Sequence, residues 1–109
     1  MTFDEYQKQS TSTANYSDFI PPWVYLALGL AGESGEVVEK IKKLVRNNGG
    51  KMTDADKQEI KKELGDVLWY MSQLCEQLDL SFDDVAQANI AKLQDRKARG
   101  VIKSAGDNR

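Results

Sequence analysis

The stretch Ile60-Lys-Lys-Glu-Leu-Gly-Asp-Val-Leu-Trp-Tyr-Met-Ser-Gln-Leu-Cys-Glu-Gln-Leu78 decides the fold, because its apolar residues recur every third or fourth position. This spacing lines one face of a helix and does not fit the alternation of a strand. The apolar stripe consists of Ile60, Leu64, Val67, Leu68, Met71, Leu74, Cys75 and Leu78. Thr53 is placed to cap this helix, which we predict to end near Asp79.

A second long helix precedes it, beginning at Pro21-Pro22 and ending at about Arg46. Proline is favoured at the start of a helix, and the following Asn47-Asn48-Gly49-Gly50 is a strong stop signal. Its predicted apolar stripe consists of Trp23, Ala27, Leu30, Val37, Ile41 and Leu44. Because the linking segment is short, the two long helices are predicted to be antiparallel neighbours.

Two shorter helices flank this pair. Thr2 and Glu5 form a capping box, which predicts a helix over 3–9 with Phe3 and Tyr6 on its inner side, followed by a polar connection over 10–22. Ser81 caps a last helix that frays near Arg99-Gly100, with an inward face of Phe82, Val85, Ala86, Ile90 and Leu93. No strand pattern competes. The sequence therefore predicts an all-α helical bundle of about four helices, with two long central antiparallel helices.

Composition limits the function. A chain of 109 residues, with 29% charged residues and a formal charge of −2, is predicted to form a single domain over 1–109. It has neither an apolar run of membrane-spanning length nor a signal-like N-terminus, so we expect a cytoplasmic protein with no membrane or nucleic-acid partner. The absence of histidine excludes histidine-based triads and the commonest zinc sites, and the single Cys75 cannot form an internal disulfide.

Two acidic pairs are the most informative feature of these helices: Glu33-Ser-Gly-Glu36 and Glu63-Leu-Gly-Asp66. Residues three apart share a helix face, and both pairs lie at offsets of roughly 60° and 120° from the centre of their own apolar stripe. Glu39 falls opposite the stripe and is excluded from the site. Four converging carboxylates predict a hard cation, Mg²⁺ with Mn²⁺ as a substitute. The alternative is that these are solvated acids paired with Lys40, Lys61 or Lys62.

Cations gather on the last helix, where Asn89, Lys92 and Arg96 share one face through spacings of three and four. A phosphate group is their natural ligand beside a metal site. The alternative is that they are ordinary favourable charges at a helix C-terminus.

Gly29, Gly32 and Gly35 recur within one helix, where each glycine costs about 1 kcal/mol relative to alanine. This cost indicates that another helix or a ligand comes close to the backbone. Trp69 falls opposite its apolar stripe, which predicts either a subunit interface or an isolated surface aromatic.

These residues resemble the MazG-like all-α nucleotide pyrophosphohydrolases. The resemblance covers 23–99 and rests on the ordered acids, on Leu28-Gly-Leu-Ala-Gly-Glu-Ser-Gly-Glu-Val37, on Glu63-Leu-Gly-Asp-Val-Leu-Trp-Tyr70, and on Asn89-Ile-Ala-Lys-Leu93 with Arg96. One departure is Gly32, which stands where many members have an additional acid.

The resemblance implies Mg²⁺-dependent hydrolysis of a nucleoside triphosphate, deoxynucleotides included, between the α and β phosphates to the monophosphate and pyrophosphate. It also implies a homo-oligomer, a dimer or dimer of dimers. The implied metal ligands are Glu33, Glu36, Glu63 and Asp66, and the implied substrate-binding residues are Lys92, Arg96, Asn89 and Tyr70.

The expected mechanism is in-line attack of a metal-activated water on the α-phosphorus. Glu36, with Glu33 beside it, is the expected catalytic carboxylate that takes the proton. The alternative function is a non-catalytic helical module that binds nucleotide or Mg²⁺ and serves dimerisation or regulation.

Overall fold

The computed structural model describes residues 1–16, 18–19 and 21–109, and its secondary structure consists of four α-helices. They are α1 (Phe3–Thr11), α2 (Pro22–Asn48), α3 (Asp54–Gln77) and α4 (Phe82–Ala98). No strand occurs among the described residues, which confirms the predicted all-α class. Ser17 and Ile20, in the predicted polar connection, lie outside the described residues.

The predicted caps form and set the helix boundaries. The Thr2 side chain accepts a hydrogen bond from the Glu5 amide, and Thr53 and Asp56 form a reciprocal capping box. These contacts satisfy amides that have no partner inside the helix. At the end of α2, Gly49 takes a left-handed conformation with φ 59°, which accounts for a helix two residues longer than predicted.

The α2–α3 hairpin forms the most extensive helix contact, and it positions the acidic pairs. Leu26 of α2 is completely buried, whereas Leu30, Val37 and Leu44 are half-buried. The buried line of α2 therefore passes through Leu26, which the predicted stripe omitted.

Helix α1 packs against α3 through a buried polar network. The completely buried Gln73 accepts a hydrogen bond from the Tyr16 hydroxyl at 2.6 Å and donates to the Ser10 hydroxyl at 2.9 Å. Ser10 also contacts the buried Ser72 at 2.9 Å. Such a network is stable only when its members are paired, so it fixes the position of α1 on α3.

The start of α4 packs on α1. The Phe82 amide donates to the Gln7 side chain at 2.9 Å, and the Phe3 and Phe82 ring centroids lie 4.7 Å apart. The Asp83 carboxylate accepts from the Phe3 amide at 3.0 Å. These contacts hold the first turn of α4, while its later turns extend away from them.

Part of the predicted core is wrong for a single chain. Trp23 is 52% exposed, and Ala27, Ile41 and Leu64 on the predicted stripes are exposed as well. Of the predicted inward face of α4 only Phe82 is buried, whereas Val85, Ile90 and Leu93 are exposed. The periodicity identified apolar faces correctly as helical, but a helix with two apolar sides can bury only the one that meets a neighbour.

Trp69 needs no second subunit to cover it. Its indole nitrogen donates to the Thr13 hydroxyl at 2.8 Å, and its ring lies edge-on to Tyr16 at 6.2 Å. The segment after α1 therefore half-buries this side chain within the chain itself. Among the described residues no helix is both long and apolar enough to cross a membrane.

Candidate active site

Three of the four predicted acids come together at the centre of the hairpin. Glu33 of α2 and Glu63 and Asp66 of α3 each place one carboxylate oxygen within 4.8 Å of the others. Glu33 and Glu63 are half-buried and Asp66 is exposed, so the cluster opens to solvent. The i, i+3 spacing on α3 and the close packing of α2 produce this convergence, as the sequence predicts.

The cluster is electrostatically strained without a cation. The pKa of the Glu33 carboxyl is raised, first by burial and then by the negative charges of its acidic neighbours, of which Asp66 contributes most. A hard divalent ion with oxygen ligands relieves such repulsion. The oxygen-only donor set and the spacing of these carboxylates therefore fit Mg²⁺ or Mn²⁺ and do not favour zinc.

Lys40 provides partial compensation at one edge of the cluster. Its ammonium lies 3.7 Å from Glu63 and 3.9 Å from Glu59, both longer than a close ion pair. The alternative reading of Glu63 as a flank acid paired with lysine thus has some support. It does not extend to Glu33 or Asp66, for which the described residues show no ion pair.

Glu36 and Glu39 occupy different environments. Glu36 is exposed one turn after Glu33 and lies outside the group of three, although its charge contributes to the raised pKa of Glu33. Glu39 pairs with Lys42 at 2.9 Å and Lys43 at 3.7 Å. Glu39 therefore lies apart from the acid cluster, in agreement with its predicted position opposite the apolar stripe of the helix.

Tyr70 packs against α2 beside the acids, and Gly29 makes this possible. A Cβ at Gly29 would lie 2.0 Å from the Tyr70 ring, whereas a Cβ at Gly32 or Gly35 would meet nothing within 4 Å. The expectation of close approach is therefore confirmed at Gly29, whereas the approach of a ligand or another copy at Gly32 and Gly35 stays a prediction. The neighbouring Tyr25 hydroxyl, then burial and nearby acids, raise the pKa of Tyr70 to about 12. Its phenol is protonated at neutral pH, as an unshifted tyrosine also is, and keeps its proton further into the alkaline range.

The predicted cations lie elsewhere in the chain. Lys92 and Arg96 contact the Asp107 carboxylate near the C-terminus, each at 3.3 Å, and Arg96 is only 3% exposed. Asn89 is exposed and shares a shallow surface cavity with Lys92. Among the described residues α4 packs mainly on α1 and makes no extensive contact with α2 or α3. The structure thus groups the acids together and the cations together.

The sequence of the hairpin and of α4 matches known proteins. Residues 25–101 match the MazG nucleotide pyrophosphohydrolase domain. The chain belongs to this family. It is also similar to the gene 37 protein of Mycobacterium phage L5, with 44% identity over 114 residues and complete coverage of both chains. No solved structure matches. The MazG match begins within α2, so α1 lies outside it.

Sequence reasoning missed two residues that the structure brings to these groups. Tyr25 lies beside Tyr70, with ring centroids 6.3 Å apart, and its spacing of four from Gly29 and eight from Glu33 was an available signal. Asp107 had no such signal, because it lies in an irregular segment without helical periodicity.

Proposed function

We propose that this MazG protein hydrolyses a nucleoside triphosphate, deoxynucleotides included, between the α and β phosphates to give the monophosphate and pyrophosphate. The observation that carries the proposal is the Glu33, Glu63 and Asp66 cluster, formed on the two helices that the family match covers. Phosphoryl chemistry requires positioning and charge neutralisation more than covalent chemistry, which suits a site without histidine or a nucleophilic cysteine.

Glu33, Glu63 and Asp66 would hold Mg²⁺, with Mn²⁺ as a substitute, and Glu36 would complete the set from the next turn of α2. When bound, the metal supplies charge neutralisation of the phosphates and a more acidic water. The raised pKa of Glu33 supports this role, because a cation favours the charged carboxylate that the metal-free cluster resists.

Glu36 is the proposed general base. It is exposed at the edge of the cluster, and no ion pair joins it to another side chain among the described residues. A carboxylate that gives one oxygen to the metal keeps its second oxygen to accept the proton of an attacking water. Glu33 stays next to it and orients the same water.

The remaining contacts would come from residues that carry complementary chemistry. Tyr70, a protonated phenol beside the acids, would donate to or stack on the nucleoside, and Asn89 would contact it. Lys92 and Arg96 would neutralise the phosphate chain. Because α4 carries these cations away from the hairpin, they must move, or come from another copy of the chain, to reach the acids.

A second copy of this chain is the proposed partner. The chain exposes 7870 Å², whereas a compact monomer of 12.2 kDa exposes about 6,100 Å². Its radius of gyration is 16.9 Å against about 13 Å for a compact domain of this length. Leu28 and Val38 are 68% and 65% exposed. The excess area exceeds the roughly 800 Å² that each partner of a stable complex buries.

Sedimentation velocity at micromolar concentration tests the assembly. We expect a dimer or a dimer of dimers, held by the exposed apolar sides of α2, α3 and α4. A homogeneous 12.2 kDa species under the assay conditions would refute it.

Incubation with each common nucleoside and deoxynucleoside triphosphate, with Mg²⁺ or with EDTA, tests the activity. Chromatography should show monophosphate and pyrophosphate in Mg²⁺ alone. Diphosphate and phosphate would contradict the cleavage position. Absence of turnover with every nucleotide, together with retained nucleotide binding, would favour the non-catalytic module, which the glycine at position 32 in place of an acid also favours.

A further inference from the structure

The last residues of the chain form a folded loop at the end of α4. Gly100 takes φ 72°, and the Val101 amide then returns to the Arg96 carbonyl at 2.9 Å. The Arg109 guanidinium closes the loop by donating to the carbonyls of Val101, Ile102 and Gly106. We call residues 101–109 the tail loop.

The tail loop covers the cation pair of α4. The Asp107 carboxylate lies 3.3 Å from both the Lys92 ammonium and the Arg96 guanidinium, and its backbone carbonyl also accepts from Arg96. Arg96 is 3% exposed as a result. A phosphate group cannot reach this guanidinium while the loop is in place.

The closed arrangement satisfies Arg96 only in part. Its Nε atom is buried and has no hydrogen-bond partner among the described residues. A buried guanidinium donor without an acceptor is costly, whereas the Asp107 side chain is 84% exposed and therefore a weakly held partner. A phosphate chain offers more acceptor oxygens and more charge than this single carboxylate.

The ion pair between Asp95 and Arg99, at the same end of α4, provides a comparison for the Arg96 contact. Asp95, in the last turn of α4, forms an i, i+4 pair at 2.8 Å with Arg99, which caps the end of the helix, and both side chains are substantially exposed. The Arg96 contact differs because a distant, irregular segment supplies the anion and buries the cation.

We propose that the tail loop is an autoinhibitory latch, in which Asp107 occupies the Lys92 and Arg96 positions that a substrate's phosphates use. The inference rests on the proposed function, because it concerns access to the same phosphate-binding residues. Polyphosphate binding displaces Asp107 and opens the loop.

The latch is charged under ordinary conditions. Hydrogen bonds from Arg96 and then Lys92 lower the pKa of Asp107, so a displacing anion competes with a full negative charge at neutral pH. Asp107 forms ion pairs with both Lys92 and Arg96, and an exposed pair of this kind changes an equilibrium by about 1.5-fold to fivefold. Removing its charge should therefore tighten anion binding about threefold to tenfold.

Inorganic pyrophosphate is the direct probe, titrated calorimetrically in EDTA so that metal does not contribute. Asp107→Asn should lower the pyrophosphate Kd about threefold to tenfold. Asp84→Asn is the matched control, since Asp84 is exposed near the start of α4, about 18 Å along the helix from Arg96, and its substitution should change Kd less than twofold. Arg109→Ala, which unpins the loop, should act in the direction of Asp107→Asn.

Nucleotide kinetics separate the latch from the activity. With the latch correct, Asp107→Asn lowers KM and leaves kcat unchanged. Unchanged or weaker pyrophosphate binding by Asp107→Asn, or no binding by any form, overturns the latch even when the wild-type enzyme turns over. Tighter pyrophosphate binding without nucleotide hydrolysis by any form supports the latch and refutes the proposed function instead.

Discussion

The acid cluster of the α2–α3 hairpin and the cation pair of α4 differ in how far their charges are neutralised. Three carboxylates meet within 4.8 Å, and Lys40 compensates only one of them, at 3.7 Å. The cation pair is instead closed by the chain's own Asp107. The acidic half remains open and repulsive, whereas the cationic half is covered.

The difference follows from how each half is supported. The acids project from two helices that pack along much of their length, so repulsion cannot separate them without breaking the hairpin. The cations lie on the later turns of α4, where nearby chain is free to fold over them. A rigid scaffold can thus maintain unneutralised charge, and a peripheral helix relies on a local counter-charge.

The largest effect should come from removing a ligand of the acidic half. Glu63→Gln should reduce kcat at least about 100-fold, because changes outside the metal ligands alone cost 10–100-fold in comparable sites. Calorimetry should show a parallel loss of Mn²⁺ binding, with circular dichroism unchanged.

Glu59→Gln is the matched control for that loss. Glu59 lies one turn earlier on α3 and also approaches Lys40, at 3.9 Å, but it lies outside the acid cluster. Its substitution should leave kcat within about threefold of wild type, as for a solvated surface charge. Equal losses for both variants would show that Lys40 pairing, and not metal binding, is what matters.

The next effect concerns the packing beside the acids. Gly29→Ala places a Cβ 2.0 Å from the Tyr70 ring and should lower the free energy of unfolding by about 1–3 kcal/mol. Gly32→Ala meets no atom within 4 Å and should raise it by about 0.5–1 kcal/mol through better helix propensity. Urea denaturation measures both. Stabilisation by Gly29→Ala would contradict the position of Tyr70.

The sequence predictions succeeded where helix periodicity determines the structure and failed where tertiary packing or irregular backbone determines it. The meeting of Glu33 with Glu63 and Asp66 was predictable, because helix periodicity and the short connection between α2 and α3 determine it together. Which apolar side of each helix is buried was not, since Leu26 and Trp23 are both large and apolar and only tertiary packing distinguishes them. The contact of Asp107 with Arg96 depends on irregular backbone, for which spacing carries no information.

The smallest effect is a pH dependence of the metal-free protein. The folded-state pKa of Glu33 is raised above its ordinary value of 4.5, so the folded chain binds a proton more tightly than the unfolded chain. Stability in EDTA should therefore decrease as pH rises from 4.5 through the raised pKa, and level off above it. Glu33→Gln should remove this decrease.

Glu39 provides the control of opposite sign. A hydrogen bond from Lys42 lowers the pKa of Glu39, so its contribution is present above the ordinary value and is lost as pH falls through the lowered one. Glu39→Gln should flatten the acidic limb of the stability profile and leave the Glu33 decrease intact.

Mg²⁺ should reverse the Glu33 effect in the wild type, because a bound cation favours the charged carboxylate. A decrease that persists unchanged in Glu33→Gln would assign the repulsion to other acids and break the contrast between the two halves.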